Sequence, residues 1–240
     1  MAGLRIPVFL RGLMRLFLYI FNRKKMPITL RGWQRMFRDI FYEKDKRDYT
    51  AAEILEHVQE EASRIDKGIR KENWAEVIAA IPRFFCWLLS FFNMIGIDAE
   101  IAIWRKYQGR CPYCGVERNC GCIALDEKPD HPDKWVKSLV GTMPASLDDW
   151  QNMFFRIFGK INRLVWAMQV WLHVHEELGE LSREVRLGNI IEIHYESADC
   201  MAWLLGFCNR IGVKLGEATW EVYPGICDVC RQGKCQCPKV

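Results

Sequence analysis

The chain predicts an all-α protein made of two tandem copies of one helical bundle, and three observations carry that reading. The first is an internal repeat. HVQEE at 57–61 returns as HVHEE at 173–177, and WLLSFFNMIGI at 87–97 returns as WLLGFCNRIGV at 203–213, both 116 residues later. The second is periodicity: apolar residues recur three and four apart, and neither copy shows the strict alternation of a half-buried strand. The third is a four-cysteine cluster closing each copy.

Taken in order, residues 1–25 read as a basic amphipathic extension, because the stretch at 6–21 resembles that at 26–41 and suggests a duplicated first helix. Arg5, Arg11 and Arg15 interrupt its apolar run, so a secretory leader is not expected; its amphipathic character also suits a membrane surface. The first copy spans 26–122 and opens on MPITLRGWQRMF, which matches MPASLDDWQNMF at the head of the second copy, 143–240. Between them, 123–142 holds the charged, proline-bearing DEKPDHPD and reads as a linker. Trp104, Tyr107 and Gly109 fall on Trp220, Tyr223 and Gly225, so each copy closes on a similar short helix.

Half the residues are hydrophobic, enough for a sizeable core. A net charge of +4 on 240 residues does not argue for nucleic-acid binding, and no basic, aromatic stripe flanks the cysteines. No run of eighteen or more uncharged apolar residues is present, which disfavours membrane insertion. A cytoplasmic location is expected.

The chemistry concentrates at 173–199. Residues three and four apart share a helix face, so Glu177 and Glu180 point together with Glu176 beside them. Glu196 and Asp199 do the same on a second helix, after a turn at Leu187-Gly188-Asn189. Antiparallel helices carrying these pairs would gather like charges, which is costly unless a cation sits among them. Hard oxygen ligands with room for water and phosphate suit Mg2+ or Mn2+. Glu177, Glu180, Glu196 and Asp199 are the expected ligands.

The order EExxE then ExxD resembles the MazG-like, all-α nucleoside triphosphate pyrophosphohydrolases. Trp150-Gln151 ahead of it, DCMAWLLGFCNRIGV running on from Asp199, and a short helix ending at Tyr223-Pro224-Gly225 extend the resemblance over 143–237. It implies cleavage of an NTP or dNTP to the monophosphate and pyrophosphate, including housecleaning of non-standard nucleotides. Glu176 would then orient the ligands or accept the proton of the attacking water. The resemblance also implies that the two copies pair as an internal pseudo-dimer, with a further homodimer open, each lining the other's site.

The copies are not chemically equal. Where the second has Glu180, Glu196 and Asp199, the first has Arg64, Ala80 and Arg83, with Pro82 inside the corresponding helix. Pro82 is expected to bend that helix, and Glu60 to pair with Arg64 four residues on. The first copy is therefore expected to bind no magnesium and to shape the second copy's pocket. Arg64 and Arg83 either stabilise the bundle or reach the substrate's phosphates.

Cys111, Cys114, Cys120 and Cys122, and again Cys227, Cys230, Cys235 and Cys237, offer four thiolates from two close pairs, the ligand set of a closed structural zinc site. A reducing compartment disfavours disulfides, and Cys86, Cys200 and Cys208 read as core fillers. Asn209 lies ten residues beyond Asp199, nearly three turns on, and suits either base or sugar contact or helix packing. Lys160, Arg163 and Arg183 are candidates to meet the triphosphate, and Trp150 or Trp166 to stack on a base. His57 and His173, present in both copies, read as packing. The competing class is a non-catalytic, zinc-stabilised helical scaffold for interaction or nucleotide binding.

Overall fold

The computed structural model describes residues 25–122 and 142–239, and among them it contains eight helices and no strand. The extension expected over 1–25 and the linker expected over 123–142 lie, except for their last residues, outside the described residues. The first half runs α1 (Leu30–Asp48), α2 (Ala51–Arg70), α3 (Trp74–Ile95) and α4 (Ala99–Tyr107). The second runs α5 (Leu147–Asn162), α6 (Ala167–Leu187), α7 (Ile190–Ile211) and α8 (Leu215–Val222).

Local sequence sets the helix ends. Thr29, Thr50, Asn73, Asp98 and Ser146 each accept a hydrogen bond from the backbone N–H three residues on, satisfying a donor the first turn leaves open. Thr50 and Glu53 complete a reciprocal capping box. Gly188 ends α6 at φ 71°, a left-handed conformation costly for any residue with a Cβ, and so lets α7 turn straight back along α6. Helix α3 continues through Pro82 without a break. It is also long and apolar enough to cross a membrane, but Val77, Ile81, Phe84, Phe85, Leu88 and Phe92 are all buried in the bundle. An all-round apolar helix is what a core position demands.

In each half a long antiparallel hairpin, α2–α3 or α6–α7, carries the first helix (α1 or α5) on one side. The hairpins meet through α2 and α6: Gln59 Nε2 donates to Ser182 Oγ at 3.0 Å, and Trp171 Nε1 to Asp66 Oδ1 at 2.8 Å. The short helices cross over. Helix α4 packs on α7 of the other half, and α8 packs on α3. Trp104 meets Trp150 edge to face at 6.1 Å, and the matching Trp220 meets Trp33 at 6.2 Å. Tyr107 stands against Phe154 at 5.0 Å, and Tyr223 against Phe37 at 5.4 Å. Rings of this size dominate the area buried at a contact, so each half is closed by the other's tail.

A glutamine fixes the corner from which each tail departs. Gln151 donates to the Val213 carbonyl at 2.8 Å and accepts from the Leu215 N–H at 3.1 Å, while Asn209 Nδ2 donates to the Gln151 carbonyl at 2.8 Å. Gln34 repeats this with Ile97, Ala99 and Asn93 at 2.6, 3.0 and 3.1 Å. Gln151→Leu strands the Leu215 N–H and the Val213 carbonyl, so it should cost about 2 kcal/mol and lower the urea midpoint. Asn152→Ala, on the exposed side of the same helix, should change stability by less than about 0.5 kcal/mol.

Candidate metal centres

The hairpin α6–α7 brings Glu177, Glu196 and Asp199 together, with one oxygen of each within 4.8 Å of the others. Glu196 and Asp199 are one turn apart on the buried face of α7, and Glu177 faces them from α6. Glu177 and Asp199 border a cavity of about 460 Å³ between the hairpin and the first four-cysteine cluster, lined also by Tyr107, Tyr113, Glu180 and Trp203. Trp203 Nε1 donates to Glu177 Oε1 at 3.1 Å, and the His173 ring stacks on Trp203 at 4.1 Å. Glu176 lies at the exposed edge, its Oε2 2.6 Å from His173 Nδ1. Glu180 lines the cavity but stands outside the close trio.

The first half closes this cavity. Helix α4 brings the Lys106 ammonium into an ion pair with Asp199, and the Tyr107 hydroxyl donates to Asp199 Oδ1 at 2.7 Å. Burial works against the charge on Lys106, yet Asp199 more than offsets it and the lysine pKa is raised. Neither residue stood out in the sequence as part of this site. The available signal was that Lys106 is matched by Val222 in the other copy, a charge found on one side of the repeat only.

The donor set fits a hard divalent cation. Burial, and then the charge of Asp199, push the Glu177 carboxyl up to about 9, and burial raises Glu196 as well. Glu177 Oε2 is buried and has no hydrogen-bond partner among the described residues. Three carboxyls this close retain a proton that a cation can replace, and oxygen-only donors favour magnesium, manganese or calcium.

The corresponding place in the first half has different chemistry. Arg64 Nη1 donates to Glu61 Oε1 at 2.9 Å, and the expected partner Glu60 instead lies 3.0 Å from His57 Nδ1. Arg83 faces Asp228, which arrives from the second cysteine cluster, at 3.8 Å. Arg64 and Arg83 border a separate cavity of about 330 Å³ and neither lines the one beside Asp199. The first half's contribution to the acid site is thus α4 and its cysteine cluster, and not these arginines.

Both cysteine clusters bring four sulfurs close enough that each could hold a metal ion. In each, the four sulfurs lie within 4.8 Å of one another, and all eleven cysteines are free. In the first, Cys120 Sγ is 3.4 Å from Cys111 Sγ, Cys114 Sγ 3.7 Å from Cys120 Sγ, and Cys111 Sγ 4.0 Å from Cys122 Sγ. A tetrahedron of sulfurs around zinc has edges of about 3.8 Å. The Gln236 N–H, donating to Cys230 Sγ, is the chief reason that thiol is held down at about 6. Each cluster is pinned to the opposite half: Cys120 N donates to the Ile157 carbonyl at 2.7 Å, and Cys235 N to the Ile40 carbonyl at 2.7 Å.

Other candidates lie elsewhere. Asn209 spends its amide on Gln151, between α5 and α7. Lys160 and Arg163 are exposed and outside the cavity lining, with Arg163 over the Phe155 ring at 5.3 Å. Arg183 pairs with Glu184 at 2.7 Å, though its charge also feels Glu180 and Glu196. Trp150 is fully buried, and Trp166 is exposed at the start of α6. Set against models of protein families, curated proteins and solved structures, the chain matches none.

Beside the arginine cavity, burial pushes Asp45 up to about 6 from 3.8, against the opposing Ser90 hydrogen bond and Lys44 charge. A carboxyl whose folded pKa is raised stabilises fully below its unfolded pKa and loses that contribution as pH climbs through the folded value. Asp45 thus costs about 2–3 kcal/mol above pH 6. The second half has Asn162 at this place. Asp45→Asn should raise the melting temperature at pH 7.5, with the gain shrinking toward pH 4.

Proposed function

We propose that the chain is a magnesium-dependent nucleoside triphosphate pyrophosphohydrolase of the MazG-like kind, an internal pseudo-dimer in which only the second half works. One observation carries the reading: Glu177, Glu196 and Asp199 converge beside a cavity that Glu177 and Asp199 line, with a buried oxygen of Glu177 left unpartnered. These three would hold magnesium, with Glu180 at the rim. Bound there, the metal would lower the pKa of a water and neutralise phosphate oxygens.

The chain's own groups supply the rest. Glu176, exposed at the cavity mouth beside His173, takes a proton from water arriving there. Lys106 gives Asp199 a counter-charge. The Trp203–His173 stack offers a flat wall for a base. The α4 helix and the first cysteine cluster roof the cavity and restrict water. Each cysteine cluster would hold one structural zinc, consistent with a reducing, cytoplasmic setting.

A second reading draws on the Lys106–Asp199 ion pair, which already gives one acid a cation. On that view the acids are inert and the protein is a zinc-stapled scaffold. Purified protein, magnesium and a panel of nucleotides separate the two: the hydrolase releases pyrophosphate with the monophosphate, and the scaffold releases nothing.

For the hydrolase, Glu177→Gln and Asp199→Asn should lower turnover about a hundredfold or more while leaving the helical signal intact. Lys106→Ala should lower kcat/KM by roughly ten- to a hundredfold, the value of a charge-assisted contact. Metal analysis should find two zinc ions per chain. Cys120→Ser, which unsettles the roof of the acid cavity, should reduce turnover more than Cys235→Ser.

A further inference from the structure

The cavity in the first half is not a collapsed remnant. It keeps about 330 Å³ between α1, α2, α3 and the second cysteine cluster, within the range of small-ligand pockets. A site that had merely lost its metal would gain stability by filling the space with apolar side chains, because empty volume in a core is costly. Instead two of the three acid positions hold arginines, beside the carboxylates of Asp45, Glu61 and Asp228. Arg64 stands where the second half has Glu180, Arg83 where it has Asp199, and Ala80 where it has Glu196. The charges of both arginines reach the retained Glu61.

Neither guanidinium is used up by the contacts it makes. Arg64 gives one nitrogen to Glu61, out of five N–H groups. Arg83 approaches Asp228 at 3.8 Å and has no hydrogen bond among the described residues. Both side chains are about half exposed, 52% and 42%, so ligand can reach them. Lys44 adds a buried ammonium on the same cavity, over the Tyr49 ring at 4.5 Å. Glu61 Oε2 is buried with no partner among the described residues, an acceptor open to a donor from outside.

The flat wall is kept as well. Trp87 lines this cavity and is stacked by His57 at 4.4 Å, as Trp203 on the other is stacked by His173 at 4.1 Å. The two cavities therefore share an aromatic platform and differ in how they would neutralise a phosphate. One offers carboxylates that need a metal, the other a planar cationic fork that binds phosphate oxygens directly.

We propose that the first half's cavity is a second, metal-independent binding site for a nucleoside phosphate, with Arg64 and Arg83 holding the phosphate and Trp87 beside the base. The phosphate part stands on the arginines alone; the choice of a nucleoside phosphate rests on reading the second half as a nucleotide site. Bound there, the ligand would be out of reach of the carboxylates and would not be cleaved.

Calorimetric titration of the zinc-loaded protein in magnesium-free buffer tests this, with a nucleoside monophosphate panel, the matching nucleosides and inorganic phosphate as probes. One site per chain is expected for a monophosphate, in the wild type and equally in the Glu177→Gln/Asp199→Asn double variant. Arg64→Ala and Arg83→Ala should each weaken it by roughly ten- to a hundredfold, with melting curves verifying the fold. Arg83→Lys, which keeps the charge and loses the fork, should fall between. No saturable binding without magnesium overturns the proposal, as does binding that survives both arginine variants. Inorganic phosphate binding as tightly as every monophosphate overturns the nucleoside assignment. Failure of the hydrolase reading looks different: no pyrophosphate appears, while arginine-dependent binding without magnesium persists.

Discussion

The exchange of tails between the two halves is the contact on which everything else rests. Cys120 bonds to Ile157 and Cys235 to Ile40 through main-chain atoms, and the tryptophan pairs Trp104–Trp150 and Trp33–Trp220 bury the tail helices on the opposite bundle. Neither hairpin alone would shield its own polar cavity, because the wall over it belongs to the other copy. A metal held by each four-cysteine cluster would make these short, loop-rich tails rigid enough to act as walls, which chain entropy otherwise opposes. The duplication and the cysteines therefore serve one architectural purpose.

That arrangement lets the two cavities carry opposite chemistry on one frame. In the second half, three carboxyls crowd together and burial pushes Glu177 toward its protonated form, while Lys106 from across the interface gives Asp199 a counter-charge and Tyr107 and Trp203 donate to Asp199 and Glu177. Such a cluster is unfavourable by itself and gains stability from a cation. In the first half the same positions hold Arg64 and Arg83, and the remaining acid Glu61 is paired. Where one pocket is cation-seeking, the other has guanidinium groups facing solvent. The apolar frame around both, from Trp33 and Trp150 to Phe91 and Phe207, stayed the same.

Much of this was legible in the chain. The turn at Leu187-Gly188-Asn189 was read directly, and the helix starts at Thr29, Thr50, Asp98 and Ser146 rest on the same kind of local signal, one side chain and one backbone N–H. The spacing of Glu196 and Asp199 on one helix face, and of the cysteines in each cluster, follows from short-range geometry as well. Ion-pair partners were less readable. Glu61 rather than Glu60 takes Arg64, since three- and four-residue spacings are both open on a helix and burial chooses between them. Asn209, open to either base contact or helix packing in the sequence, spends its amide closing the α5–α7 corner through Gln151.

By itself, then, the sequence determined that the chain is helical, twice repeated, chemically unequal in its halves, and armed with one set of acids and two of thiols. Periodicity, caps and ligand spacing act over a few residues, so they survive in one dimension. Only the tertiary structure decided that each tail covers the other half, that Lys106 and Tyr107 belong to Asp199, and that Arg64 and Arg83 line a cavity of their own. Those facts join residues some twenty to more than ninety positions apart. They depend on which surfaces bury the most aromatic area when two similar bundles meet, a choice no local pattern encodes.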